Sequence, residues 1–119
     1  MVKALFDTNI LIDFLNGAAE ARQELRQYDD PAISIVTWME VMVGATEDAS
    51  PATRAFLSRF LLIGLDEAVA EAAVDLRRVH RMKLPDAIVW ASARTTGRLF
   101  VTRNTKDFPA SDPGVRAPY

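Results

Sequence analysis

Short apolar runs that end directly at a helix-start residue recur along this chain, and that alternation limits its fold more than any other feature. Val2 to Phe6 is apolar apart from Lys3 and runs straight into Asp7 and Thr8, both favoured helix N-caps. Pro31 opens a second run, "PAISIV", which leads into "TWMEVMVGA", a helix expected to end near Gly44. "LIGL" reads as a brief third strand before Asp66, "RLFVT" as a fourth, and Val115 marks one more edge strand in a Pro-rich tail. Between the strands the apolar spacing is helical. The first helix would present Leu11, Ile12 and Leu15, with Gly17 as its stop, and the second Ala21, Leu25 and Tyr28. Ser50 as N-cap with Pro51 at the first helical position starts another, and Asp66 caps one that carries Val69, Ala73, Leu76 and Val79. Pro85 opens a last helix to about Thr96, before Gly97. Strands alternating with helices imply an α/β layer fold: one domain over residues 1–119, with a central, mainly parallel sheet of four to five strands flanked by helices.

Composition narrows the chemistry. With no cysteine there is no disulfide framework, no thiolate metal site and no cysteine nucleophile. The N-terminus lacks a secretory pattern, and no stretch nears the roughly 20 apolar residues of a membrane span, so a cytoplasmic protein is expected. The net charge of −2 offers no global attraction to a polyanion. Local basic residues or a bound cation would have to supply it.

The acids at helix starts are the informative residues. Asp7 ends the first strand; Glu40 lies in the expected first turn of the helix after the second; Asp86 follows Pro85; Asp107 lies in the turn after the fourth strand. Each has an ordinary explanation. Asp7 can cap, Thr37 and Glu40 are spaced as a capping box, Asp86 suits a helix dipole, and Asn104 with Asp107 can close a short turn. The set says more. In a parallel sheet with helical crossovers all strand-to-helix junctions share one rim, and the helix bearing Asp86 must start there too. If the strands are neighbours, four carboxylates meet in one crevice. Uncompensated, they would repel, and a divalent cation relieves this; oxygen-only ligands select Mg²⁺ or Mn²⁺. From the acids alone, a nuclease, a general metal phosphohydrolase and a non-catalytic module with an acidic crevice all stay open.

Four segments, "FDTNILID", "WMEVMVG", "KLPDAIVWASA" and "LFVTRNTKDF", together with the "GVRAPY" tail, resemble the PIN-domain ribonucleases, and within them the VapC-type toxins of toxin–antitoxin pairs. The resemblance spans nearly the whole chain. It implies an α/β sandwich and Mg²⁺- or Mn²⁺-dependent endonucleolytic cleavage of RNA, with 5′-phosphate and 3′-hydroxyl ends. It assigns Asp7, Glu40, Asp86 and Asp107 to the metal site, Asn104 to a polar site position, and Thr8 and Thr102 to its small polar neighbours. A cognate antitoxin protein and a homodimer are the implied partners.

Other candidates are weighed by position. Arg103 and Lys106 flank Asn104 and are the better phosphate contacts; the run from Arg77 to Lys83 reads as a solvated helix end. His80 reads as a surface residue, Trp38 and Trp90 as packing, and Asp13 as facing solvent. Ala18, Ala21, Phe56, Leu57, Phe60 and Leu61 exceed what a small sheet covers, which leaves core, a dimer interface or a groove for an antitoxin helix.

Overall fold

Residue alternation in strands of two or three residues builds the molecule around one sheet. The computed structural model describes residues 2–119, and its elements run β1 (Ala4–Phe6), α1 (Thr8–Leu15), α2 (Ala19–Arg26), β2 (Ala32–Ser34), α3 (Ile35–Gly44), α4 (Ser50–Leu57), β3 (Leu61–Ile63), α5 (Glu67–His80), α6 (Leu84–Thr95), β4 (Leu99–Val101) and β5 (Val115–Arg116). Successive strand side chains point to opposite faces. Leu5, Ala32 and Phe100 join Val69, Ala73, Trp90 and Phe108 in a core under α5 and α6. Ala4, Phe6, Ile33 and Val101 join Ile10, Leu11, Ala21 and Leu57 in a second core on the other face. Both faces are covered, so β1 is apolar throughout and all three of its residues are 0% exposed.

The five strands are ordered β3-β2-β1-β4-β5, and every pairing is parallel. The chain therefore steps outward from β1 through β2 to β3, then crosses to the other side of β1 for β4 and β5. That reversal is a topological switch point, and ligand crevices in such sheets open there, beyond the carboxyl ends of the strands. Asp7 N–H donates to Val101 O at 2.9 Å, so the β1–β4 ladder continues to Asp7, at the carboxyl edge of the sheet.

Several local expectations are corrected. Ser34 ends β2 and also caps α3, its Oγ accepting from Val36 N–H at 3.1 Å. The helix thus starts at Ile35, inside the run read as strand, because a side-chain acceptor at the strand's end outcompetes further ladder bonds. Glu40 consequently lies in the second turn, and Thr37 with Glu40 forms no capping box. In α1 the buried residues are Ile10 and Leu11, while Ile12 and Leu15 stay 41% and 44% exposed. In α5 Asp66 caps Val69 N–H as expected, yet Val79 is 74% exposed and so leaves the apolar stripe. Ser50 is the first residue of α4 and makes no side-chain cap; Thr46 Oγ1 accepts from Ala49 N–H just before it. Among the described residues no helix is long and apolar enough to cross a membrane.

Candidate functional site

Asp7 is held at the carboxyl end of β1 from three sides. Its backbone is extended at the end of β1, and Oδ1 accepts from Thr8 N–H at 2.8 Å, which caps α1. Oδ2 accepts from Thr102 Oγ1 at 2.8 Å and from Asn9 Nδ2 at 3.1 Å. Thr102, at the end of β4, is fully buried, and its oxygen in turn accepts from Asn104 N–H at 3.0 Å. Asp7 is 7% exposed. Burial pushes its pKa up to about 6, against the lowering effect of the Thr102 and Thr8 hydrogen bonds, and the charges of Asp86 and Glu40 add to the rise.

The remaining acids converge on the same rim from other elements. Glu40, exposed on α3, accepts from Thr8 Oγ1 at 2.7 Å, and Thr8 Oγ1 shares a further bond with the buried Thr37 hydroxyl at 3.0 Å. Asp86, in the first turn of α6, is half-buried. Burial raises its pKa, as do the charges of Asp107 and Glu40, while Lys83 opposes them. Asp107 is exposed; its Oδ2 accepts from Asn104 Nδ2 at 3.0 Å and its N–H donates to Asn104 Oδ1 at 3.2 Å, closing a turn. The ordinary turn-closing role of that pair is therefore realised, but the charge of Asp107 is also felt at Asp86. The acids form one electrostatically linked set: Asp7 with Asp86 and Glu40, and Asp86 with Asp107 and Glu40. Among the described residues, no three acidic or histidine side chains stand close enough to enclose an ion as they are. The donor set is all oxygen, and it is negative where burial penalises charge, which suits a hard divalent cation and no softer one.

The basic candidates separate. Arg103 does not extend freely toward the crevice. Its guanidinium donates to Asp13 through Nε (2.7 Å, to Oδ2) and Nη2 (3.1 Å, to Oδ1), so Asp13 is ion-paired and does not simply face solvent. Lys106 is exposed. His80 lies at the end of α5 against Trp90, with ring centroids 4.8 Å apart, and is an exposed residue as expected. Asn9 was not singled out by the sequence reading. It bonds Asp7 and Thr102 through Nδ2 and receives the Arg103 N–H on Oδ1 at 3.1 Å. The usable signal was that a carboxylate ending an apolar strand needs donors, and an amide two residues on is within reach.

Thr102→Val should expose this dependence. It removes a donor to an ionised, buried oxygen, and should cost about 2–3 kcal/mol at pH 7.5. The loss should be smaller near pH 4.5, where Asp7 is protonated and no longer needs a strong donor. Urea unfolding midpoints at the two pH values check this; equal losses would contradict it.

The PIN domain family profile matches residues 4–111. A curated relative, the "tRNA(fMet)-specific endonuclease VapC" of Shigella flexneri, is 32% identical over 120 residues, 91% of either chain. Among solved structures, a toxin–antitoxin complex from Klebsiella pneumoniae superposes with a TM-score of 0.93 at 50% identity, covering 98% of both chains. DNA-bound VapBC from Salmonella typhimurium gives a TM-score of 0.76 at 24% identity over 98% and 96% of the two chains, a likeness of fold.

Proposed function

The chain belongs to the PIN-domain family, as a VapC-type toxin nuclease, and from that premise we propose that it cleaves RNA endonucleolytically with a Mg²⁺ or Mn²⁺ ion held by Asp7, Glu40, Asp86 and Asp107. The observation that carries the reading is the linked acid set at the β1–β4 switch point, where a nearly buried carboxylate with its pKa near 6 shares its field with Asp86 and Glu40. When bound by these acids, a divalent cation would supply the Lewis acidity to activate a water and offset charge on the scissile phosphate. The protein's own share is positioning. Thr102 and Asn9 hold Asp7 Oδ2, Thr8 orients Glu40 Oε1, and Asn104 braces Asp107 Oδ2. Arg103 and Lys106 are the cations nearest to Asn104 in sequence; both are exposed, but Arg103 is paired with Asp13, which leaves Lys106 as the better phosphate contact.

An antitoxin protein is the natural partner of such a toxin. A groove of about 560 Å³ lies between α1, α2 and α4, floored by Phe14, Tyr28, Phe56 and Phe60 and rimmed by Arg22 and Arg59, and it supports docking of an apolar, acidic antitoxin segment. Ala21 and Leu57 are core, so the apolar excess read from these helices divides between core and groove. A homodimer fits the exposed Met39 and Val43 on α3, beside Glu40.

The test is induced expression followed by mapping of new RNA 5′ ends, with initiator tRNA, the target named for the Shigella relative, assayed first. Cleavage of single-stranded DNA or of a small phosphomonoester instead of RNA would redirect the assignment to another nuclease or phosphohydrolase. Metal binding has its own readout. Mn²⁺ at about 100 times its Kd should add about 2.7 kcal/mol, a Tm rise of roughly 5–10 °C. No rise would favour a non-catalytic acidic crevice.

A further inference from the structure

The loop from Thr102 to Asp107 carries three members of the site, yet between its ends it has no regular structure to hold it. One end is fixed by β4 and the other by Phe108, which is fully buried. Between them the loop is tied to α1 and to its N-cap residue. Thr102 Oγ1 reaches Asp7, Arg103 N–H reaches Asn9 Oδ1, and the Arg103 guanidinium grips Asp13 with two parallel bonds. Asn9 and Asp13 are four residues apart, hence stacked on the same side of the helix. Asp13 Oδ2 also accepts from Tyr119 Oη at 2.8 Å, so the segment after β5 closes over the same carboxylate. Although burial works against it, the hydrogen bonds from Arg103 and Tyr119 hold Asp13 below the usual carboxylate range. A carboxylate saturated by a bidentate arginine and a phenol is a geometric clamp, more directional than a charge at the surface.

We propose that Asp13 and Arg103, closed over by Tyr119, form a latch that positions Asn104 and Asp107 in the crevice, so that Arg103 is a positioning residue rather than a phosphate contact. The inference rests on the nuclease reading above but has a readout independent of it. The latch acts on geometry: a loop displaced by about 1 Å costs much of the rate while leaving substrate binding intact.

The experiment compares the wild type with Asp13→Ala, Arg103→Ala, the double variant and the milder Tyr119→Phe, by RNA cleavage kinetics and by backbone ¹⁵N relaxation. Each single alanine variant should lower kcat by about tenfold with KM within about twofold, and the double variant should be no worse than either single one. Order parameters at Asn104 to Asp107 should fall from about 0.85 toward 0.6 in the same variants, with Tyr119→Phe in between. Unchanged order parameters overturn the proposal. So does a raised KM confined to Arg103→Ala, with Asp13→Ala harmless, which would make Arg103 a phosphate contact. So does an unchanged kcat in variants of a cleaving protein. If the wild type neither cuts RNA nor binds Mn²⁺, the nuclease reading fails, and the relaxation data alone decide whether the latch orders the loop.

Discussion

Replacing Asp7 with Asn is expected to abolish RNA cleavage while making the cation-free protein more stable at neutral pH. The first half follows from position. Asp7 is the most buried member of the acid set and the one fixed by the most hydrogen bonds, so its charge is the hardest for another group to replace. Loss of several kcal/mol of electrostatic stabilisation corresponds to about a 10³-fold fall in kcat. The second half follows from its titration. In the folded state its pKa is about 6 against an ordinary 3.8. Between those values the folded chain holds a proton that the unfolded chain has lost, so stability falls as pH rises through the window and stays low above it. Two pKa units correspond to about 3 kcal/mol. The amide recovers only part of this, because its Nδ2 would meet Asn9 Nδ2, another donor. A gain of about 1–2 kcal/mol at pH 7.5 in chelator, vanishing toward pH 4, is therefore expected. Urea melts across pH, beside cleavage and growth assays, check both halves. Undiminished cleavage by a folded Asp7→Asn protein would end the assignment of the site.

The largest structural effect should come from Phe108→Ala, immediately after Asp107. Phe108 is fully buried, edge-on to Trp90 at 5.7 Å and to Phe100 at 4.8 Å between ring centroids. Truncation leaves a cavity in the core under α5 and α6, at a cost of about 3–5 kcal/mol. That is a large part of the roughly 5–15 kcal/mol a domain has in total. Phe108→Leu, which refills most of the volume, should cost about 1–1.5 kcal/mol. Both changes also slacken the anchor of the loop that bears Asp107, so Mn²⁺ should raise Tm less in either variant than in the wild type. Chemical denaturation gives the first number and thermal melts with and without Mn²⁺ the second; a full Mn²⁺ response in Phe108→Leu would separate the anchor from the site.

Elements with strong local chemistry were legible before any coordinates. Asp66 caps α5, Pro85 lies in the first turn of α6, one residue after its start at Leu84, and Gly17 and Gly97 take the positive φ of 88° and 64° that end their helices. That Asp7, Glu40, Asp86 and Asp107 come near enough to feel one another's charge was legible too, because strand-to-helix junctions of a parallel sheet share one rim. Errors arose where two local signals competed. Ser34 could continue a strand or cap a helix, and it caps; Ile12 and Leu15 fit an apolar stripe, and they are exposed because Ile10 and Leu11 meet the sheet instead. Glu24 had no local signal at all. It is buried on α2, gripped by Arg116 at 2.6 and 2.9 Å and by Tyr28 at 2.8 Å, through a partner 92 residues away.

By itself the sequence determined the α/β class, the strand-to-helix junctions and the residue types that could bind a hard cation, since turn chemistry, periodicity and donor type act over a few residues. Strand order, the seating of Asp7 under Thr102, and the pairing of Arg103 with Asp13 were decided by tertiary structure alone. Each depends on which faces bury together, and that is settled by packing across the sheet rather than by any neighbour along the chain.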